Sequence, residues 1–195
     1  MIYSFDGLAV KYKNYTDIKN KIRREVNSGR LVQITRGLYE TNTNTEGKYF
    51  AGVIYGPSYL SFDYALSLYG LIPEATYRTY TSATFQKRKT KKYDNHYGTF
   101  TYRDVPSEAF RWDILLHEED GYSYQIATPE KALCDKLYTL PPIQNLTEFS
   151  SILFNDLRID ETELVKLNMN TIKELAPLYH ARNLNFLIKF INRMK

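Results

Sequence analysis

The stretch Lys19–Thr41, KNKIRREVNSGRLVQITRGLYET, constrains the fold more than any other, because a helical pattern runs straight into a tight hairpin. Ile18, Ile22 and Val26 recur at i, i+4 and i+8 and make one apolar stripe, while Lys19, Lys21, Arg23 and Arg24 occupy the remaining faces. Thr16 is placed to cap the helix with Asp17 in its first turn, and Gly29 supplies the left-handed residue that ends it. Leu31 to Thr35 and Leu38 to Thr41 then read as two short strands around Arg36-Gly37, where glycine takes the positive φ of a tight turn. Ahead of them, Ser4 caps a short helix over Phe5 to Lys11, whose Phe5, Leu8 and Ala9 face the second helix across a turn at Asn14-Tyr15.

The order helix, turn, basic helix, two-stranded wing predicts a shortened winged helix-turn-helix over residues 1–41. In such modules the second helix enters the major groove. A full winged helix carries another helix ahead of this pair, for which there is hardly chain here. Dimerisation that supplies the missing area and an adaptor role without DNA contact both stay open.

Charge supports a nucleic-acid surface in this module. The net +4 divides unevenly: residues 1–48 hold nine Lys or Arg against five Asp or Glu, residues 49–142 ten against eleven, and residues 143–195 seven against six. A local excess is the footprint that phosphate binding requires, although solvated charge on a structural helix produces it too. The candidate DNA contacts are Lys19, Lys21, Arg23, Arg24 and Arg36. Further candidates are Lys11 and Lys13 and the run Lys87, Arg88, Lys89, Lys91 and Lys92, whose like charges repel and favour a mobile loop at a hairpin tip.

Residues 42–48 are polar and turn-rich and read as a linker to a larger unit over residues 49–195. Tyr49 to Tyr55 suits a strand or a helix start. Ser61 as cap, with Phe62, Ala65, Leu66 and Tyr69 on one face and Gly70 beyond, predicts a packed helix. Thr76 to Phe85, Tyr97 to Val105, Ile114 to Leu116 and Tyr122 to Ile126 read as strands of one sheet. Thr128-Pro129-Glu130 opens a helix that Pro141-Pro142 stops. The remainder reads as helical, with capping-box spacing at Asp160/Glu163 and Thr171/Glu174, a break at Pro177 and a stripe of Leu184, Leu187, Ile188 and Ile191. The fold class expected is α+β: the shortened winged module, then a mixed α/β unit with a helical C-terminal part.

The chemical inventory gives no catalytic residue, no metal site and no cofactor. His96, His117 and His180 lie in different elements, and neither a phosphate-binding glycine loop nor a nucleophile elbow occurs. Cys134 reads as a small core residue. Glu130, Lys131 and Asp135 invite a nuclease reading, but adjacent helical residues diverge by about a hundred degrees, and Lys131 with Asp135 at i, i+4 reads as an ordinary surface pair. No apolar run is long enough to cross a bilayer, no secretory leader is evident and the single cysteine forms no internal disulfide, which together predict a cytoplasmic protein.

The basic helix followed by Gly-Arg-Leu-Val-x-Ile-Thr-Arg-Gly-Leu-Tyr resembles the N-terminal module of the AbiEi family, the antitoxins of type IV (AbiE) toxin–antitoxin systems of phage defence. Two later runs, YLSFDYAL leading to Gly70-Leu71-Ile72 and IATPEKAL-x-Asp135, resemble the same family in order and spacing, so the likeness reaches from the first helix to about Leu140. The resemblance implies a non-enzymatic transcriptional regulator that binds double-stranded DNA at inverted repeats in its own promoter. It also implies a nucleotidyltransferase-like toxin as functional partner, with direct contact open. The rivals are a DNA-targeted nuclease or other phosphodiester-acting enzyme, and a protein-interaction adaptor.

Overall fold

A computed structural model describes residues 1–194, which form a mixed α+β structure. Its first unit comprises β1 (Ile2–Ser4), α1 (Phe5–Lys11), α2 (Ile18–Asn27), β2 (Val32–Thr35) and β3 (Leu38–Glu40). The strands make an antiparallel sheet in the order β1-β3-β2. Strand β1 is absent from the sequence reading, since three residues are too few to display a two-residue period. It pairs Ile2, Tyr3 and Ser4 with Glu40, Tyr39 and Leu38. The Ser4 hydroxyl also caps α1 as expected, accepting from Gly7 N.

The cap of α2 is Asp17 rather than Thr16: Asp17 Oδ1 accepts from Asn20 N at 2.9 Å. Gly29 ends the helix at φ +73°, and Gly37 makes the β2–β3 turn at φ +80°. Leu8, Ile22 and Leu31 form a small core, with Ile18 and Val26 packed around it. Each fully buried aliphatic residue contributes about 1.5–3 kcal/mol, so three of them make a unit that benefits from support by the rest of the chain.

That support is visible. Ile34 belongs to the large core, and Asn95 Nδ2 donates to its carbonyl at 2.8 Å. Buried Glu40 accepts from Thr41 N, Asn42 N and the Tyr122 hydroxyl at 2.7, 3.0 and 3.0 Å. Residues 42–48, expected as a linker, are anchored: Tyr97 OH donates to Asn42 O at 2.9 Å and Gly47 N donates to Tyr80 OH at 3.0 Å.

The larger unit runs α3 (Ala51–Ile54), β4 (Tyr59–Leu60), α4 (Phe62–Leu68), β5 (Thr79–Thr84), β6 (Lys91–Asn95), β7 (Gly98–Asp104), α5 (Ser107–Phe110), β8 (Ile114–Glu119), β9 (Tyr122–Ala127), α6 (Pro129–Tyr138), α7 (Leu146–Ser151), α8 (Glu161–Leu164), α9 (Met169–Leu175) and α10 (Arg182–Arg193). Its six strands lie in the order β6-β7-β5-β4-β9-β8, with β5/β7 and β4/β9 parallel. One sheet face, carrying Tyr102 and Tyr122, packs on residues 47–54: Tyr102 OH donates to Ala51 O, and Tyr49 stacks on Tyr122 with centroids 4.8 Å apart. The ambiguous Tyr49–Tyr55 run is therefore helical, a 3₁₀ turn over Gly47–Phe50 followed by α3. The opposite face, carrying Tyr59, meets α6, which packs in turn on α4, α9 and α10.

Three local expectations are corrected. Lys91 and Lys92 lie in β6 rather than in a free loop, because Lys91↔Tyr102 and Lys92↔Thr101 pair with the neighbouring strand. Thr171 sits inside α9, whose cap is Asn168. Ser61 precedes α4 but makes no cap bond; its hydroxyl turns inward to Asp135.

Candidate nucleic-acid interface

The apolar stripe that docks α2 on the small core fixes which side chains face outward. Lys19, Arg23 and Arg24 on α2 and Arg36 at the β2–β3 turn are exposed, and none of the four forms an ion pair among the described residues. Arg23 donates only to Asn20 Oδ1, at 3.0 Å. Uncompensated guanidinium and ammonium groups on a helix and at a hairpin turn are suited to phosphate oxygens, arginine through its planar fork.

Lys21 differs from the other candidates. Its ammonium pairs with Glu25 at 2.6 Å and lies 4.6 Å from the Tyr15 ring centre and 5.5 Å from that of Tyr12. Arg30 closes on the same carboxylate at 2.5 Å. The bonds from Arg30 and Lys21 hold the Glu25 carboxyl down at about 2. Lys21 is thus spent within the fold, and Arg30, which the sequence reading passed over, anchors the start of β2 to α2. The signal was the Glu25 flanked by Lys21 and Arg30 at helical and turn spacing.

The secondary candidates fall in two places. Lys11 and Lys13 are exposed at the end of α1, with the Lys11 ammonium 4.8 Å from the Tyr3 ring centre. Lys87, Arg88, Lys89, Lys91 and Lys92 belong to the β5–β6 connection and β6 of the larger unit. Lys87 lies 5.2 Å from the Tyr55 ring centre, Arg88 N donates to Asp104 Oδ2 at 2.6 Å, and Lys92 meets Asp94 at 3.4 Å.

The IATPEKAL run proves to be structurally central. Thr128 caps α6 and Pro129 opens it; the next turns carry Lys131 and Asp135 into the interior, where both side chains are 0 % exposed. The expected surface pair is instead a buried one. Lys131 Nζ donates to Asp135 Oδ1 at 2.8 Å and to the Tyr179 hydroxyl at 2.5 Å. Tyr179 OH also donates to Asp135 Oδ1 at 2.6 Å, while Tyr59 OH and Ser61 Oγ donate to Oδ2 at 3.0 and 2.7 Å. The carboxylate is fully satisfied, and the tyrosine rings flank the ammonium at 4.7 and 5.5 Å.

Burial and the neighbouring Asp135 charge push the Tyr59 and Tyr179 hydroxyls well above the usual phenol range. Burial does the same to the Cys134 thiol. Such sealed, hydrogen-bonded groups tie β4, α6 and the 3₁₀ turn after α9 together; they offer no approach to a phosphate. Glu130 points elsewhere, accepting from Asn168 N at 2.7 Å. Among the described residues no group of three or more His, Cys, Asp or Glu is arranged to hold a metal ion. No helix there is long and apolar enough to cross a membrane. No protein-family model matches the chain, and no curated protein does.

Proposed function

We propose that this protein is a DNA-binding antitoxin and transcriptional autorepressor in which residues 1–41 act as a shortened winged helix on double-stranded DNA. The observation that supports the DNA half is that Lys19, Arg23 and Arg24 on α2 and Arg36 at the β2–β3 turn are exposed and, among the described residues, free of ion pairs, while Ile18, Ile22 and Val26 of the same helix pack on the small core. Strand β1 pairs with β3 and makes the small sheet three-stranded. The antitoxin half, with a nucleotidyltransferase-like toxin as functional partner in the cytoplasm, rests on the resemblance of the basic helix–hairpin, YLSFDYAL and IATPEKAL runs to the AbiEi family.

The test is fluorescence anisotropy with a duplex from the gene's own promoter across a salt series. Four phosphate contacts predict a slope of log affinity against log salt of roughly −3 to −4 per module. Arg23→Ala, Arg24→Ala and Arg36→Ala together are expected to flatten that slope to about −1, with the thermal midpoint little changed because the three side chains are exposed. Binding without salt dependence removes the DNA reading and favours an adaptor. Loss of repression with retained rescue from the neighbouring toxin separates the two halves of the proposal.

A further inference from the structure

The parallel pair β5/β7 aligns Thr79 with Thr99, Thr81 with Thr101 and Ala83 with Arg103, and β6 adds Lys92 opposite Thr101. Strand alternation therefore places hydroxyls and cations on one face and Tyr80, Phe100 and Tyr102 on the other. Where the α4 and α6 ends rise beside that polar face, they enclose a groove of about 360 Å³ lined by Thr81, Thr101, Lys92, Arg103, Lys136 and Asp63. Lys136 is held at 2.5 Å by Asp63, the only carboxylate in the lining, and Lys92 meets Asp94 at the rim at 3.4 Å. Among the described residues the Arg103 guanidinium has no ion-pair partner, and Arg103 is exposed.

We propose that this groove binds the terminal phosphate of a small phosphomonoester, of nucleoside-monophosphate size or smaller. The Arg103 guanidinium, the Lys92 and Lys136 ammonium groups and the Thr101 hydroxyl on a concave surface match the charge and the oxygen acceptors of a phosphate, whereas the Thr81 hydroxyl is already committed to the Ser61 carbonyl. The volume lies at the lower end of small-ligand pockets, and a duplex is too wide to enter it. The site belongs to the larger unit and uses none of the residues 1–41 assigned to DNA; of the secondary cations named above it shares Lys91 and Lys92. The phosphate has two possible sources, a free nucleotide or the phosphorylated end of a nucleic-acid strand.

Isothermal titration of the full chain at fixed ionic strength with AMP, adenosine, and hexathymidylate with and without a 5′-phosphate tests this. AMP is expected to bind saturably and adenosine not. Arg103→Gln with Lys92→Gln, both exposed, should weaken AMP by about tenfold or more, and Arg103→Lys with native Lys92 by less. The Arg23→Ala, Arg24→Ala, Arg36→Ala protein should bind AMP unchanged, which separates failure here from failure of the DNA module. Competition by the 5′-phosphorylated strand alone identifies a strand end as ligand; no competition by either strand identifies the free nucleotide. Absence of saturable AMP binding, equal binding of adenosine, equal competition by the unphosphorylated strand, or AMP affinity indifferent to the groove substitutions overturns the proposal.

Discussion

Replacing Asp135 with Asn is the most informative perturbation of this fold. Asp135 receives four hydrogen bonds from Lys131, Tyr179, Tyr59 and Ser61, all within 3.0 Å and all in the interior. Asn keeps the shape and, with hydroxyls reoriented, much of the bonding, but it leaves the Lys131 ammonium without a counter-charge at 0 % exposure. Removing one member of a buried pair costs about 3–5 kcal/mol, a large fraction of the 5–15 kcal/mol that stabilises a typical domain. Lys131→Met should cost less, about 2 kcal/mol, because three hydroxyl donors still serve the remaining carboxylate.

The double variant Lys131→Met, Asp135→Asn removes both charges, keeps an acceptor for the Tyr59, Ser61 and Tyr179 hydroxyls and should recover much of the loss, giving a coupling energy of about 2 kcal/mol or more. Urea unfolding followed by far-ultraviolet circular dichroism, with the denaturant slope unchanged, supplies each value. Single substitutions that cost under about 1 kcal/mol, or energies that add within about 0.5 kcal/mol, would refute the claim that the pair acts as a sealed unit.

Glu25 carries the clearest pH dependence. Its carboxyl, 4.5 when unperturbed, is lowered to about 2 by Arg30 and Lys21, so its contribution is fully present above 4.5 and is lost as pH falls through about 2. With Arg30 largely in solvent, that contribution is on the order of 1 kcal/mol; Glu25→Gln should lower stability by this amount at neutral pH and remove the corresponding part of the acid transition in a pH series of melts. Gly98→Ala should cost about 2–4 kcal/mol in urea unfolding, because Gly98 has φ +140° and a Cβ there would collide with the Arg78 carbonyl. Cys134 should resist a thiol-reactive chromophore at mildly alkaline pH in the native protein and react fully in denaturant, since it is 0 % exposed and burial raises its thiol.

Local rules carried the elements whose information is local. Capping residues and periodicity located α2, α4 and α6 to within a residue or two, because Gly29, Gly70 and the Thr128-Pro129 pair act on their own backbone. Enrichment in Thr, Tyr and Phe likewise marked β5 and β7. The two-residue β4 and three-residue β1 lay below the length at which a period is measurable, and they form because neighbouring strands offer them partners. A count of charges located the cations of α2 but not their availability: Lys21 and Arg23 are two residues apart, yet only one finds a carboxylate and two tyrosine rings. The same holds for Lys131 and Asp135. Spacing of i, i+4 determined that they would pair; whether that pair faces water or the interior depends on Tyr59, Ser61 and Tyr179, which are distant in sequence and arrive only when β4 and the turn after α9 close over α6. Helix phase is written in the chain, whereas the dielectric around a helix face is decided by what packs against it.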